Sequence, residues 1–468
     1  MHPLIGRTPY GFKRAAFCAL VALIAAHPAQ AATAVAPTAQ QIAEYESVDE
    51  TTRVKLLMHL ARSGKQDLAA DLLQRYPLTG KHAANRTLFL QGLILEADGD
   101  LTAAVKKFRS ALASDPNLTL VRAELAKTLA QLDEDESAKH HLDILAQSAP
   151  SEETARGIRS FIEQVDHKKP LKFSAFVSAA PTTNINGGSN HSTMTVYDPY
   201  SGGSVPASIN KRKSGVGASV GGSVGFSRRV GNDFYLVTAG NAYAALYQDT
   251  DFNTYGLSES AELRYMLDRG YFGLGGVASQ GMALYDVTAT DTDYEHVLSY
   301  GPRISAQYNI TVHDRINASA VYTWKDSLER DKLDGTDLTA NASLEHTFDP
   351  SLSVSAFGGF DRNETGIKYN SFRQWSGGVG IYKELPAGFT IDARAQAMVS
   401  DFDAIHPAIA TAARKDTRLS GTLEVTKRDL NLFGFAPAVS YSYVRNRSNV
   451  DMYDYDSHTV DFRLTKDF

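Results

Sequence analysis

The chain has 468 residues, of which 43% are hydrophobic and 21% are charged, and it contains a single cysteine. One thiol can neither form an internal disulfide nor build a cysteine-based zinc or redox site. A mean hydropathy of -0.25 excludes a bundle of several transmembrane helices. The formal net charge of -6 argues against a nucleic-acid partner, because such binding normally needs a basic excess on one face.

Residues 1–31 are predicted to be a secretory signal peptide. Three basic residues precede an apolar run at 15–26, and Ala29-Gln30-Ala31 offers the small residues that a signal peptidase requires. The apolar run is too short for a membrane anchor, which needs about 20 residues. The sequence therefore predicts an exported chain.

The periodicity of the remaining sequence changes once. Between about residues 40 and 165 the apolar spacing is helical, and after Pro170 it has the period of two that is typical of strands. A polar stretch closed by this proline separates the two patterns. We therefore predict a helical domain at 32–169 and a β domain at 170–468.

The helical part contains an internal repeat of the tetratricopeptide type. Small, apolar and proline positions recur after 34 residues, pairing Gly92, Leu95, Ala104, Phe108, Ala111 and Pro116 with Ala126, Leu129, Ala138, Leu142, Leu145 and Pro150. Small residues are needed where two antiparallel helices cross closely, and proline ends the second helix of each pair. The pattern favours stacked helix pairs over unrelated amphipathic helices.

Such repeats form a curved array whose concave face is lined by the first helix of each pair. On this register the predicted client-binding groove consists of Arg86, Phe89, Leu93, Glu96, Leu120, Ala123, Lys127 and Ala130. A groove of this kind binds a peptide segment or another protein and performs no chemistry. The alternative is that these side chains only pack against neighbouring helices or against the second domain.

The β domain alternates apolar residues with small or polar ones. Residues 215–227, 316–325 and 338–348 each show one apolar and one polar face. In a soluble sandwich the apolar face would meet a second sheet, whereas in an outer-membrane barrel it meets lipid and the polar face lines the lumen. The connections favour the barrel, because short and long ones alternate along about 14 predicted strands.

An even strand number places both ends of the barrel on the periplasmic side, where the short turns lie. The helical domain is therefore predicted to lie in the periplasm.

Pro437 lies within a predicted strand, where it removes a ladder hydrogen bond, so a bulge is expected there. The longest loop, at 181–213, is predicted to plug or gate the pore.

The last strand carries a predicted barrel-assembly signal. Phe462, Leu464 and the terminal Phe468 alternate with polar residues. This pattern resembles the signal that is read by the bacterial barrel-assembly machinery.

No residue pattern predicts an enzyme, a cofactor site or a metal site. The letters of a nucleophile elbow at residues 221–225 fall within a strand and not on a strand-to-helix turn. His140 and His141 are neighbours on a helix without a carboxylate at ligand spacing, and they are predicted to be surface residues. The acidic residues near the C-terminus are predicted to form a solvated face.

The signal peptide, the short repeat array and the barrel of about 300 residues together resemble the surface lipoprotein assembly modulator family of Gram-negative bacteria. The resemblance covers nearly the whole mature chain and implies a translocon. Its clients would be particular lipoproteins, or related secreted haem-binding proteins, that move to the cell surface. The periplasmic repeats would engage the client or its chaperone, and the barrel would serve as the path through the outer-membrane lipid.

Two other functions remain open from the sequence. An exopolysaccharide exporter also joins tetratricopeptide repeats to a barrel, but it usually has many more repeats and a lumen dominated by one sign of charge. Here the inward residues Arg315, Lys325, Glu345, Asp461 and Arg463 are of mixed sign. A passive porin with a periplasmic tether explains the barrel and leaves the groove without a role.

Overall fold

The structure is a computed structural model that describes residues 42, 45–168, 170–198, 202–287, 292–407, 409–428, 430 and 435–465. The predicted signal peptide and Phe468 lie outside the described residues. The chain forms two compact units that divide between Lys107 and Phe108. The predicted boundary at 169/170 separates helices from strands and stays a prediction as a domain boundary.

The helical part contains seven consecutive helices within residues 50–168. They are α1 (Glu50–Arg62), α2 (Gln66–Arg75), α3 (Ala83–Ala97), α4 (Leu101–Ser114), α5 (Thr119–Gln131), α6 (Asp135–Gln147) and α7 (Glu152–Lys168). Gly64 and Gly99, with φ of 78° and 85°, reverse the chain after α1 and α3. Glycine suits both positions because it adopts positive φ without steric cost.

Within each unit the small repeat positions are interior. Gly92 and Ala104 are buried in the first unit. In the second unit Ala126 and Ala138, which have no exposed surface, allow the close approach of α5 and α6. The helices thus form where the 34-residue pattern predicts them, while their assignment as tetratricopeptide repeats stays a prediction.

The strands form a closed antiparallel barrel of 14 members, which confirms the predicted fold class. Their order around the barrel is β1, β16, β15 and then downwards to β4, which pairs with β1 again. The barrel strands are β1 (Leu171–Thr182), β4 (Gly215–Arg229), β5 (Phe234–Tyr247), β6 (Thr254–Leu267), β7 (Gly270–Val287), β8 (Thr292–Asn309), β9 (Asp314–Ser327), β10 (Gly335–Asp349), β11 (Leu352–Thr365), β12 (Phe372–Leu385), β13 (Phe389–Phe402), β14 (Lys415–Lys427), β15 (Ala436–Ser448) and β16 (Tyr455–Thr465).

The outer face of the barrel is apolar over its full circumference. Side chains such as Phe173, Leu274, Trp375 and Phe462 are about half exposed or more and point away from the lumen. They lie on the same face as their cross-strand partners, since Trp375 pairs with Phe360 and Val399. Such a surface requires lipid, because a soluble protein rarely exposes a continuous apolar band.

The connections differ at the two ends of the barrel. At one end short turns of two to four residues follow β4, β6, β8, β10 and β12, and at the other end the loops after β5, β9, β11, β13 and β15 have six residues or more. We call these the short-turn end and the long-loop end. The segment between β1 and β4 contains a separate hairpin of β2 (Thr193–Asp198) and β3 (Gly203–Ser208). None of the described helices has the length and apolarity needed to cross a membrane.

The predicted bulge at Pro437 is wrong. The register between β15 and β16 runs without a shift from Ala436 to Asn446. Pairing between β15 and β14 begins only at Ala438. At Pro437 there is therefore no ladder on the β14 side that would need a backbone N–H donor. Register shifts occur instead beside Leu284 and Thr347.

Candidate functional site at the short-turn mouth of the barrel

The lumen wall carries charges of both signs that neutralise each other. Glu262, which is 5% exposed, accepts from Arg264 Nε at 2.6 Å and from Ser305 Oγ at 2.8 Å. Lys325 Nζ lies 2.6 Å from Asp337 Oδ2 on the neighbouring strand. A wall of this kind is wet and polar without favouring a polymer of one charge.

Helix α6 forms the floor of this lumen. His140, Asp143, Ile144 and Gln147 of α6 line a chamber of about 490 Å³. The other side of the chamber is the inner wall of the barrel, with residues that include Arg315, Ser343, Glu345, Ser355, Tyr382 and Arg394. The helix therefore lies across the mouth of the barrel at the short-turn end.

A buried ion pair holds α5 to the barrel wall. Arg122, on the first turn of α5, and Glu384, near the end of β12, are both completely buried. The guanidinium donates to both carboxylate oxygens, from Nη1 to Oε1 at 3.1 Å and from Nη2 to Oε2 at 2.7 Å. This planar two-point geometry is the strongest form of a charge-assisted hydrogen bond.

The carboxylate of Glu384 collects two further donors. Arg428 Nη1, from the turn after β14, lies 2.6 Å from Oε2. The Tyr382 hydroxyl donates to Oε1 at 3.1 Å. Arg122 also donates to the Pro116 carbonyl at 2.7 Å, which ties the loop before α5 to the same cluster. We call Arg122, Glu384 and Arg428 the clamp.

The position of the clamp follows from local structure. Helix α5 is buried on nearly all sides, so Arg122 has no route to water. Outward residues of β12 such as Val379 and Ile381 are exposed to lipid, which places Tyr382 and Glu384 on the lumen side. The buried charges of Arg122 and Glu384 are tolerated because each is the counter-charge and the hydrogen-bond partner of the other.

Other contacts fix the helices at separate points around the rim. The Gln147 amide group lies 3.1 Å from Thr347 Oγ1, with the amide nitrogen donating, and its oxygen accepts from Arg315 Nη2 at 2.9 Å. His313 Nδ1 donates to the Gln147 carbonyl at 2.9 Å. On the opposite side Lys172 of β1 bonds Asp166 of α7 at 2.7 Å.

The two histidines of α6 contradict the prediction that they are surface residues. His141 is 8% exposed, and its Nδ1 accepts from Arg122 Nη1 at 3.2 Å. Burial, reinforced by Arg122, holds the pKa of His141 well below the ordinary value of 6.5. Burial also lowers the pKa of His140, although Glu384 opposes this shift. Both rings are covered because α6 packs against the barrel, which helix periodicity alone does not reveal.

The predicted groove residues of the first unit lie on α3. Phe89 and Leu93 are buried, at 5% and 3% exposure. Arg86 donates to Glu50 Oε1 at 2.9 Å, and Glu96 is half-buried near the end of the helix. The two apolar side chains thus belong to the packed interior of this unit.

The predicted groove residues of the second unit lie on α5. Leu120 is exposed, Ala123 is half-buried, and Ala130 is 6% exposed. Lys127 Nζ pairs with Glu124 one turn earlier on the same helix, at 2.6 Å. A client-binding role for these eight residues stays a prediction.

The barrel-assembly signal lies on the lipid side of β16 as far as it is described. Phe462 and Leu464 are 54% and 38% exposed. Among the described residues no cluster of three or more histidine, cysteine or acidic side chains is placed to hold a metal ion.

Removing the charge of Glu384 should loosen the helices from the barrel. In Glu384→Gln the guanidiniums of Arg122 and Arg428 stay buried without a counter-charge, which costs about 3 to 5 kcal/mol for a broken buried pair. We expect amide hydrogen exchange in α5 and α6 to accelerate by at least roughly 100-fold. Asp392→Asn is the matched control, since Asp392 pairs with an Arg394 that is 67% exposed. Equal exchange in both variants would contradict a structural role for the clamp.

Docking of α6 should weaken as the pH falls below about 6.5. The charged groups that face the two rings are Arg109 of α4, Arg122 of α5, Asp143 of α6, Glu384 of β12 and Arg428. Because burial lowers both histidine pKa values, the undocked state binds more protons in this range, so stability falls with falling pH. Amide exchange in α6, corrected for its intrinsic pH dependence, should therefore rise between pH 7.5 and 5.5.

The double variant His140→Gln and His141→Gln is the control for this pH dependence. Glutamine can accept the hydrogen bond from Arg122 but does not titrate. The pH dependence should disappear in this variant, and its persistence would show that other groups cause it.

Comparison with known proteins agrees with this architecture. The model of the family described as surface lipoprotein assembly modifier matches residues 172–468. A relative from Acinetobacter baumannii, named hemophilin secretion modulator, is 24% identical over 451 residues, covering 91% of this chain and 88% of that protein.

Solved structures with a similar course of the chain are outer-membrane proteins. The outer membrane channel DcaP of Acinetobacter baumannii has 11% sequence identity and a TM-score of 0.36, with 63% of this chain and 96% of that chain covered. A Pseudomonas aeruginosa FadL homologue has 12% identity and a TM-score of 0.34, with coverages of 64% and 90%.

The lipid-facing barrel and the family match together place the chain in the outer membrane of a Gram-negative bacterium. The match spans the described barrel from Lys172 onward, which is more than half of the sequence. The chain belongs to the surface lipoprotein assembly modifier family.

Proposed function

We propose that this chain is a translocon that delivers specific lipoproteins, or related secreted haem-binding proteins, to the cell surface. The short-turn end faces the periplasm in this proposal, and the helices receive the client there. The family match and the named function of the Acinetobacter baumannii relative support this assignment. The role is one of transport, without a chemical reaction on the client.

The observation that carries the proposal is the covered mouth. Helix α6 lies across the short-turn end, and its His141 contacts Arg122 of α5, which forms the fully buried pair with Glu384. A cover that is part of the same chain permits passage only when it moves. Client binding to the helices could supply the free energy that breaks the clamp, since a ligand shifts an equilibrium by its difference in affinity for the two states.

This arrangement favours a translocon over the two other candidates. A passive porin needs a permanently open path, whereas α6 lies across the mouth of this barrel and lines a chamber of about 490 Å³ there. A polymer exporter benefits from a lumen of one sign, whereas Glu262 and Asp337 are paired with basic side chains here.

The remaining parts of the proposal concern recognition and assembly. The exposed Leu120 and the half-buried Ala123 and Lys127 are the groove residues of α5 with surface accessible to a client. A periplasmic chaperone would present that client in an unfolded form, because 14 strands enclose too little space for a folded domain. The last strand, with Phe462 and Leu464, would be recognised by the barrel-assembly machinery.

Export should stop when α6 cannot leave the mouth. Gln147→Cys with Thr347→Cys places two thiols where side chains now lie 3.1 Å apart. A short bis-methanethiosulfonate, which forms a disulfide with each thiol and releases methanesulfinate, can bridge them reducibly. The mature chain is otherwise predicted to contain no cysteine, since Cys18 lies in the signal peptide. The probe is an epitope-tagged lipoprotein encoded beside this chain, and protease shaving of intact cells measures its surface exposure.

We expect exposure to depend on this chain, to be lost after bridging and to return on reduction. The two single-cysteine variants, treated with the same reagent, should export normally. Equal exposure in cells that lack the chain, for each neighbouring lipoprotein tested, would contradict the translocon. Undiminished exposure after complete bridging would show that α6 does not need to move.

A further inference from the structure

The clamp holds more positive than negative charge in the interior. Arg122 and Glu384 are completely buried, and the Arg428 side chain is only 11% exposed. Both guanidiniums are paired with the same carboxylate, at 2.7 Å from Arg122 and at 2.6 Å from Arg428. Among the described residues neither arginine has a second acidic partner. The clamp therefore has a buried excess of one positive charge, and a buried charge without a counter-charge is costly.

A small cavity lies directly beside this excess charge. Its volume is about 30 Å³, which is enough for a single small ion or for one or two water molecules. The described side chains that line it include no carboxylate, and its polar lining consists of Arg109, His140, His141 and Arg428. The cavity is therefore surrounded by groups that donate hydrogen bonds or carry positive charge.

Two N–H groups of these lining residues lack an acceptor within the described part of the chain. Arg428 Nε is buried and has no hydrogen-bond partner. His141 Nδ1 accepts from Arg122, so the proton of the neutral ring lies on Nε2, from which no described residue accepts. Buried donors without an acceptor cost free energy, so both favour an acceptor in the cavity.

The electrostatic potential at this position is positive. Besides burial, the groups that act on the pKa of His141 are Arg122, His140, Arg109 and Arg428, and each of them lowers it. A histidine pKa is lowered where added positive charge is unfavourable, and a negative charge is favourable at the same place. A water molecule would satisfy the donors but would leave the excess charge without a counter-charge.

We propose that the cavity binds a monovalent anion of the size of chloride, which supplies the missing counter-charge and strengthens the docking of α6. Helix α4 contributes Arg109 to the cavity, α6 contributes the two histidines, and the turn after β12 contributes Gly388. An anion at this position therefore joins the helices to the barrel wall. Docking then depends on the anion in solution as well as on the clamp, whatever the barrel transports.

Bromide is the probe for direct binding, because it has the charge of chloride and scatters X-rays anomalously. Crystals of the purified chain grown in sodium bromide should show an anomalous peak in the cavity, beside Arg428 Nε and His141 Nε2. Water molecules alone in the cavity, without an anomalous peak, would overturn the proposal.

Amide hydrogen exchange in α6 measures the effect of the anion on docking. A ligand that binds only the docked state slows undocking-dependent exchange in proportion to its saturation of the site. We expect exchange to be about tenfold slower in sodium chloride than in sodium gluconate at the same ionic strength and pH. Gluconate is the control anion because it is too large for a cavity of about 30 Å³. Equal exchange in the two salts would overturn the proposal.

Filling the cavity separates this site from general effects of salt. Ala113 of α4 lines the cavity, so Ala113→Leu removes the space and leaves every charged group in place. Exchange in this variant should be the same in chloride and in gluconate. Ala103→Leu is the matched control, since Ala103 is half-buried on the same helix and does not line the cavity. This control should keep the tenfold difference.

Exchange in gluconate shows whether the filled variant is still docked. If Ala113→Leu exchanges faster there than the wild-type chain, the smaller Ala113→Val takes its place. An undiminished chloride effect in a docked, cavity-filled variant would overturn the site, because the anion would then act elsewhere.

Discussion

The structure depends on one buried interaction between parts of the chain that are 262 residues apart, the pairing of Arg122 with Glu384. Each charge would be strongly unfavourable alone in this interior, so the pair is stable only when α5 and β12 meet. The docking of α6, the chamber above it and the burial of His141 all follow from that meeting. A buried ion pair contributes little net stability compared with apolar packing, but it makes partial docking costly. It therefore suits a cover that is either seated or released.

Long ladders and an apolar outer face hold the barrel in the lipid. In the proposed function the clamp controls entry at the short-turn end of a lumen whose charges are largely neutralised in pairs.

Most of the fold could be predicted from the sequence because it is encoded locally. Period-two alternation and the spacing of turns gave the 14 strands, and the 34-residue repeat located the helices. Pro437 was misread because its position relative to the start of pairing with β14 is a property of the sheet. The clamp could not be predicted, since no periodicity links Arg122 to Glu384. An arginine in a helix without a distinct polar face, and an acid at an inward strand position, were the available signals. His140 and His141 were misassigned for the same reason, because only tertiary packing covers them.

The most direct test of a covered mouth is ionic current through the purified chain in planar lipid bilayers. With the clamp intact, the wild-type barrel should show no steady conductance at neutral pH. Arg122→Glu, which sets a second carboxylate against Glu384, should produce stable open channels, because repulsion replaces the buried attraction. Steady conductance of the wild-type chain equal to that of Arg122→Glu would contradict the account, since α6 would then not close the path.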